Sequence, residues 1–207
     1  MGSLKWTPLF ATLALVVVYA VAFAQAPEPQ PPGELIMGVK TAEPLTVLER
    51  IFTSGPDNAG DAIRAAGEMV FAAAEAESVT ILPNHAAVVI LTPMQELMAG
   101  PPAEMKWALR VPIVDALEPG PVAGHPDVTV QRLAPSLVGY TYGKGAPEAV
   151  VQQRTTALGM WLVGQGYTLE GPISMVIFQD YDQTPPDQMV CEIQVGVKAP
   201  QEQPAQP

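Results

Sequence analysis

The chain has 207 residues, 48% of them apolar, and a formal net charge of −11. That length and apolar content fit one domain or two small, closely packed ones. The acidic balance argues against a nucleic-acid partner, because phosphates require a footprint of Lys and Arg. The lone cysteine, Cys191, excludes an internal disulfide and a cysteine metal cluster, and the two isolated histidines do not suggest a metal site.

Residues 1–24 have the pattern of an export signal. Lys5 supplies a positive start, the run 9–22 is almost wholly apolar, and residues 22–24 form an Ala-Phe-Ala cleavage signature. An uncleaved membrane anchor is the alternative, although the apolar run is short for a spanning helix. We therefore expect a protein that is exported to the periplasm or secreted, or one that is tethered to the membrane.

Two flanking segments are predicted to lack regular structure. Residues 25–34 are rich in Pro and Gln, which suits an extended linker, and residues 199–207 are predicted to be a disordered tail. The segment between them, 35–198, is predicted to be the folded part.

Residues 35–198 contain a weak internal repeat, with copies at 35–117 and 127–198. Each copy has the order strand, helix, strand, strand. In the first copy these elements are predicted at 45–52, 59–76, 86–91 and 107–113. In the second they are predicted at 138–142, 147–163, 173–178 and 191–197, and the Pro/Gly-rich stretch 118–126 is predicted to join the copies.

This order predicts an α+β fold. Each copy alone is a short sheet with one helix, too small to bury both faces. Two copies side by side give one pseudo-symmetric antiparallel sheet with both helices on one face. The other face is then expected to form a groove, which is the natural site for a ligand.

The second copy resembles the bacterial GyrI-like (gyrase-inhibitor-like) effector-binding domains. The matching residues are Gly-Tyr-Thr-Tyr-Gly at 139–143, Trp161 in the helix, Gly166-Tyr167, Gly171-Pro172, and Cys-Glu-Ile-Gln-Val-Gly-Val at 191–197. In that family the last strand commonly reads Thr-Glu-Ile-Gln-Val-Pro-Val. This chain departs from the family at Cys191 and Gly196.

The resemblance implies a duplicated fold that binds small molecules. It also implies that a glutamate at position 192 lies in the groove, where in some members it faces cationic aromatic ligands. Some relatives are hydrolases of reactive small molecules that use acidic and aromatic groove residues. Other relatives attach the domain to a DNA-binding segment, and we find no such segment in this sequence.

Glu192 is the principal candidate for a ligand contact. Because alternate side chains of a strand face opposite ways, Cys191 and Ile193 are expected under the helices, while Glu192 and Gln194 face the groove. A solvated carboxylate on an open sheet face is the alternative. Aromatic walls beside the carboxylate would favour a cationic guest by about 0.5–2 kcal/mol through cation–π attraction.

Four aromatic residues complete the predicted ligand site. Tyr140 and Tyr142 share one strand face, which is either the groove wall or an ordinary packing surface. Phe178 is a weaker candidate of the same kind. Trp107 is expected in the core, with a role at the groove edge as the alternative. We find no catalytic, metal-binding or cofactor-binding motif.

These observations leave three functional hypotheses. The first is an exported protein that binds a cationic or neutral aromatic small molecule, without enzymatic activity or a cofactor. The second is a hydrolase that uses Glu192 as a general acid or base. The third is a structural or interaction module whose groove is filled by its own side chains.

Overall fold

The computed structural model describes residues 36–55, 58–82, 85–93, 96–97, 102–144, 147–178, 185, 188 and 190–200. The predicted export signal, the linker and most of the predicted tail lie outside the described residues. Neither described helix is long and apolar enough to cross a membrane.

Nine strands and two helices make up the described fold, which confirms the predicted α+β class. The strands are β1 (Met37–Ala42), β2 (Leu45–Ser54), β3 (Ala87–Ile90), β4 (Met105–Pro112), β5 (Gly120–Val122), β6 (His125–Leu133), β7 (Ser136–Lys144), β8 (Thr168–Ile177) and β9 (Val190–Lys198). The helices are α1 (Ala59–Ala76) and α2 (Pro147–Gly164). The helices and the strands of the repeat end within a few residues of the predicted bounds.

All nine strands form one antiparallel sheet, in the order β1-β7-β9-β8-β3-β4-β2-β6-β5. Strands β3 and β8 meet at its centre, where Val88 pairs with Met175. On either side of this pair the strands of the two copies follow in the same sequence, β8-β9-β7 and β3-β4-β2. The sheet therefore has the predicted pseudo-symmetry.

Three strands were missing from the prediction, and two of them interlock the halves. Strand β1 precedes β2 in the chain but pairs with β7, whereas β6 precedes β7 but pairs with β2. The segment before the first half thus supplies an outer strand, β1, to the second half. The segment before the second half supplies β6 to the first half. The stretch 118–126, which we predicted to join the two copies, contains β5 and the start of β6. Pro126 has no backbone N–H to donate, but it lies near the start of β6, where no register partner is required.

The core lies between the sheet and the two helices. Helix α1 contacts β2, β4 and β6, and α2 contacts β7, β8 and β9. The buried residues of α1 include Ile63, Ala66 and Val70, whose spacing places them on one helix face. In the second half, the side chain of Leu162 lies against Gly139, where a β-carbon would come within 2.5 Å of it. Glycine at this position lets α2 approach the sheet closely.

Strand β9 alternates as predicted. Cys191, Ile193 and Val195 are at most 1% exposed and belong to the core beneath the helices. Glu192, Gln194 and Gly196 point to the other face of the sheet. The predicted burial of Cys191 is confirmed.

A register shift in β8, between Leu169 and Ile173, brings two backbones together at one end of that other face. A β-carbon added at Gly196 would lie 2.5 Å from the α-carbon of Gly171. The contact requires glycine on both strands. It supplies a physical reason for glycine at position 196, where the GyrI-like pattern has proline.

Candidate functional site

The helix-free face of the sheet is concave and holds a cavity of about 770 Å³. Every strand except β5 contributes to its lining. Residues of both halves meet there: Val47, Val89 and Arg110 come from the first half, and Val176 and Glu192 from the second. The groove expected between the two copies is therefore present and open.

Glu192 lies at the floor of this groove. Its side chain is 1% exposed, although it lines the cavity. The Gln194 side-chain amide donates to Oε1 at 2.7 Å, and the Lys40 ammonium lies 2.5 Å from the same oxygen. Among the described residues, no donor reaches Oε2, which is buried. A buried acceptor without a partner loses the hydrogen bonds that it had in water, so the carboxylate of Glu192 is incompletely satisfied in this structure.

The cation that pairs with Glu192 comes from a strand that is not adjacent to β9. Lys40 lies on β1, and β7 separates β1 from β9. To reach Glu192 the side chain crosses β7, and its Nζ lies 4.8 Å from the ring centroid of Tyr140. That distance is within the range of a cation–π contact.

Gly38 determines where the Tyr140 ring lies. The two residues are paired across β1 and β7, and a β-carbon on Gly38 would lie 2.8 Å from the ring. Because Gly38 has no side chain, the Tyr140 ring can lie over β1. The ring consequently forms a platform beside Lys40 and close to Glu192.

Four rings form a continuous row along this part of the sheet. Tyr140 and Tyr142 have centroids 5.6 Å apart, Tyr142 and Phe178 6.3 Å, and Phe178 and His85 5.6 Å. These separations are typical of interacting aromatic pairs. Tyr142 is paired with Glu192 across β7 and β9. Burial, then the interaction of the Tyr142 hydroxyl with the Glu192 carboxylate and the charge of that carboxylate, with a smaller contribution from Tyr140, raise the pKa of Tyr142 from 10.0 to about 12.

The predicted site residues are divided between two faces of the sheet. Glu192 and Phe178 line the cavity. Tyr140 and Tyr142 lie on the same face, as the register partners of Gln194 and Glu192. They do not belong to the cavity lining. Trp107 lies on the opposite face, is 1% exposed, and packs in the core, where its Nε1 points to the Ser54 carbonyl at 3.5 Å. Trp107 is therefore not retained as a groove residue.

The groove face of the sheet also carries a charged pair whose carboxylate, Glu49, was not predicted; its partner Arg110 lines the cavity and Glu49 does not. Glu49 is 4% exposed, and its Oε2 accepts a hydrogen bond from Arg110 Nε at 2.7 Å. The two residues are register partners on β2 and β4. Lys40 was missed as well. The available signal was the same as for Glu192, a single charge in an otherwise uncharged strand-like run, but its partner could not be inferred without the pairing of β1.

The described residues contain no group of three or more His, Cys, Asp or Glu side chains placed to hold a metal ion. The polar side chains that line the cavity are those of Lys40, Thr41, Glu43, His85, Arg110, Ser136, Glu170, Ser174, Glu192 and Gln194. Such groups can orient and bind a small organic molecule by charge, hydrogen bonds and ring contacts.

No protein-family model matches the chain, and no curated protein matches it in sequence. Solved structures do share its fold. The C-terminal domain of EcmrR is 14% identical, with a TM-score of 0.63 over 79% of this chain and 98% of that domain. In a complex of EcmrR with DNA, the likeness covers 57% of the EcmrR chain.

Two further solved structures are similar. SAV2435, solved bound to tetraphenylphosphonium, is 18% identical, with a TM-score of 0.53 over 79% of this chain and 94% of that one. A hydrolase from Listeria innocua is 10% identical, with a TM-score of 0.51 over 78% of this chain and 91% of that one. At these identities the likeness establishes the fold, and this is the fold that the resemblance to GyrI-like domains implies.

Proposed function

We propose that the protein binds a small aromatic compound, cationic or neutral, in the groove between its two halves. One observation carries the proposal: Glu192 is buried, lines an open cavity, and has an oxygen that no described residue satisfies. An organic cation placed in the cavity would pair with the carboxylate and contact Phe178 and His85, the two rings of the aromatic row that line the cavity.

The size and composition of the cavity support a drug-sized guest. Its volume, about 770 Å³, falls within the range of small-molecule sites. Apolar side chains such as Val47, Val89 and Val176 supply most of the contact surface between the two ion pairs. A rigid, largely apolar compound with one cationic centre would bury these side chains and pair with the Glu192 carboxylate.

SAV2435 provides the second line of support. It has the same fold and was solved with tetraphenylphosphonium, a cation surrounded by four phenyl rings. That ligand combines the two properties for which Glu192 and the aromatic row are suited. We therefore use tetraphenylphosphonium as the first probe for this chain.

We favour binding over the two other hypotheses. A hydrolase would need, besides Glu192, a second group placed to bind the attacking water or the leaving group. The described polar side chains that bind the Glu192 carboxylate, Lys40 and Gln194, are both engaged with its Oε1. A module with a filled groove does not agree with the open cavity.

We further propose that the protein acts outside the cytoplasm, either exported or tethered through its N-terminal segment. The support is the sequence of residues 1–24 alone. Cell fractionation followed by N-terminal sequencing tests this point. A mature chain that begins near Gln25 would indicate cleavage, whereas an intact Met1 in the membrane fraction would indicate an anchor.

Thermal unfolding with matched probes tests the binding proposal. Tetraphenylphosphonium and tetraphenylborate have the same shape and opposite charge, so a difference between them reports the charge that the groove prefers. At a hundredfold excess over Kd, a bound ligand stabilises the native state by about 2.7 kcal/mol, which is several degrees for a chain of this size. We expect the cation to raise Tm and the anion to do so less.

The variant Glu192→Gln tests whether Glu192 causes this preference for a cation. In this variant, the rise in Tm caused by tetraphenylphosphonium should be lost. Glu170→Gln is the matched control, because Glu170 also lines the cavity but is 55% exposed and pairs with Lys198. The control should keep the shift. No stabilisation by either probe in the wild-type protein would contradict the proposal, as would equal shifts in wild type and Glu192→Gln.

A further inference from the structure

Lys40 occupies the position in which a cationic ligand is expected. Its ammonium lies 2.5 Å from Glu192 Oε1 and 4.8 Å from the Tyr140 ring centroid. A carboxylate and an aromatic face are the two groups that the proposed function assigns to the cation of a ligand. The protein therefore already fills its own cation site with one of its side chains.

We propose that Lys40 is a built-in competitor, displaced from Glu192 when a cationic aromatic ligand binds. This inference rests on the proposed function and adds a residue that sets the affinity and selectivity of the groove. The displaced ammonium moves into solvent, while the ligand's cation takes its place between the carboxylate and the ring.

The unequal exposure of the two partners makes displacement feasible. Lys40 is 37% exposed, whereas Glu192 is 1% exposed. Lys40 also lies on β1, the edge strand at one end of the sheet, so its side chain can reach water without moving any other element. Gln194 still donates to Glu192 Oε1 and holds the carboxylate in place when Lys40 leaves.

A tethered competitor also selects among cations. Because it is joined to the same chain, the ammonium has a high effective concentration at Glu192. A small cation that gains only the ion pair cannot displace it. A large aromatic cation can, because it also buries apolar surface in the cavity and contacts the aromatic row.

The charged pair in the other half of the groove lacks these features. Arg110 is 21% exposed and is the direct register partner of Glu49. Glu49 does not line the cavity, although Arg110 does. A ligand entering the groove therefore meets Arg110 without reaching the partner carboxylate of Glu49. The displaceable cation is Lys40.

Titration calorimetry on Lys40→Met tests the competition. Methionine has a similar length and no charge, so the variant removes the competitor and keeps the apolar stem. We expect tetraphenylphosphonium to bind roughly tenfold more tightly than to wild type, a change equivalent to about 1.4 kcal/mol. Tetraphenylborate should not bind more tightly. Lys106→Met, which removes an exposed lysine of β4, is the control and should change neither affinity.

A second readout uses the wild-type protein and does not depend on a variant. Reaction of Lys40 with an amine-specific reagent is followed by mass spectrometry at increasing concentrations of tetraphenylphosphonium. Pairing with Glu192 should keep the labelling of Lys40 slow, and saturation with the cation should increase it. Labelling of Lys106 should stay constant.

The outcomes separate this inference from the function on which it rests. If wild type binds tetraphenylphosphonium but Lys40→Met binds it no more tightly and Lys40 labelling does not rise, the competitor role is wrong and the binding function stands. If Lys40→Met loses affinity for tetraphenylborate instead, Lys40 is an anion-binding group. If neither protein binds either probe, the proposed function fails and the inference fails with it.

Discussion

The two halves of the groove each bury a carboxylate and pair it with a cation, but the two pairs are built differently. Glu49 and Arg110 are direct register partners on adjacent strands. Glu192 and Lys40 belong to strands separated by β7, and Lys40 crosses a tyrosine ring to reach its partner. Among the described carboxylates, Glu192 alone has a buried oxygen without a hydrogen-bond partner.

This difference indicates how a duplicated fold can use the same kind of ion pair for two purposes. The pair in the first half is made by neighbours whose positions the sheet itself fixes, so we interpret it as structural. The pair in the second half depends on a long, half-exposed side chain and leaves part of the carboxylate unsatisfied. We interpret it as replaceable by a ligand.

The largest expected effect comes from breaking the structural pair. In Arg110→Met, the 4% exposed carboxylate of Glu49 loses its cation, and removing one partner of a buried pair typically costs about 3–5 kcal/mol. In Lys40→Met, the buried carboxylate of Glu192 keeps its hydrogen bond from Gln194 and its lost partner is 37% exposed, so we expect a smaller loss than in Arg110→Met. Urea unfolding of both variants measures the difference. Equal losses of stability would contradict the distinction between the two pairs.

The next effect concerns the backbone contact at the end of the groove in the second half. Gly196→Ala would place a β-carbon 2.5 Å from the α-carbon of Gly171, and backbone atoms cannot move away as a flexible side chain can. Overpacking of this kind costs about 1–3 kcal/mol.

Gly159→Ala is the matched control for Gly196→Ala. Its β-carbon would lie 3.8 Å from Leu169, an ordinary contact, within helix α2. Replacing a helical glycine by alanine should stabilise the protein by up to about 1 kcal/mol. The free energies of unfolding of the two variants should therefore change in opposite directions. A neutral Gly196→Ala variant would show that the strands can separate at this point.

The smallest effect is the titration of Tyr142, which reports the electrostatics of the Glu192 half directly. Its pKa of about 12 lies above the ordinary value of 10.0, so the folded state keeps a proton that the unfolded state releases. Stability should accordingly be unaffected by this group below pH 10 and should fall between about pH 10 and pH 12.

Ultraviolet difference spectroscopy can follow this titration. One of the five tyrosines should ionise near pH 12, and this component should be absent in Tyr142→Phe. In Glu192→Gln it should move toward lower pH, because part of the shift comes from the carboxylate. A late component that is unchanged in Glu192→Gln would show that the carboxylate does not act on Tyr142.

The sequence was informative wherever the signal was local. The three- and four-residue periodicity of α1 and the alternation of β9 depend only on neighbouring residues, and both were predicted correctly. The same alternation placed Glu192 on the groove face, and the resemblance to GyrI-like domains made it the principal candidate for a ligand contact. The groove was predicted because each copy of the repeat is too small to bury both faces of its sheet. Two copies were therefore expected to form one sheet, with helices on one face and a groove on the other.

What the sequence did not reveal depends on pairing between distant segments. Strands β1 and β6 are exchanged between the halves, and no local pattern indicates that β1 pairs with β7 rather than with β2. The partnership of Lys40 with Glu192 follows only from that exchange. The position of the Tyr140 ring likewise depends on Gly38, which lies a hundred and two residues earlier in the chain (140 − 38).

A crystal structure of the wild-type protein with tetraphenylphosphonium tests the central claim most directly. We expect the phosphonium centre beside Glu192, with its phenyl rings against the aromatic row and the Lys40 ammonium out of contact with the carboxylate. A ligand bound away from Glu192, or one bound in the groove while Lys40 still pairs with Glu192, would contradict the account.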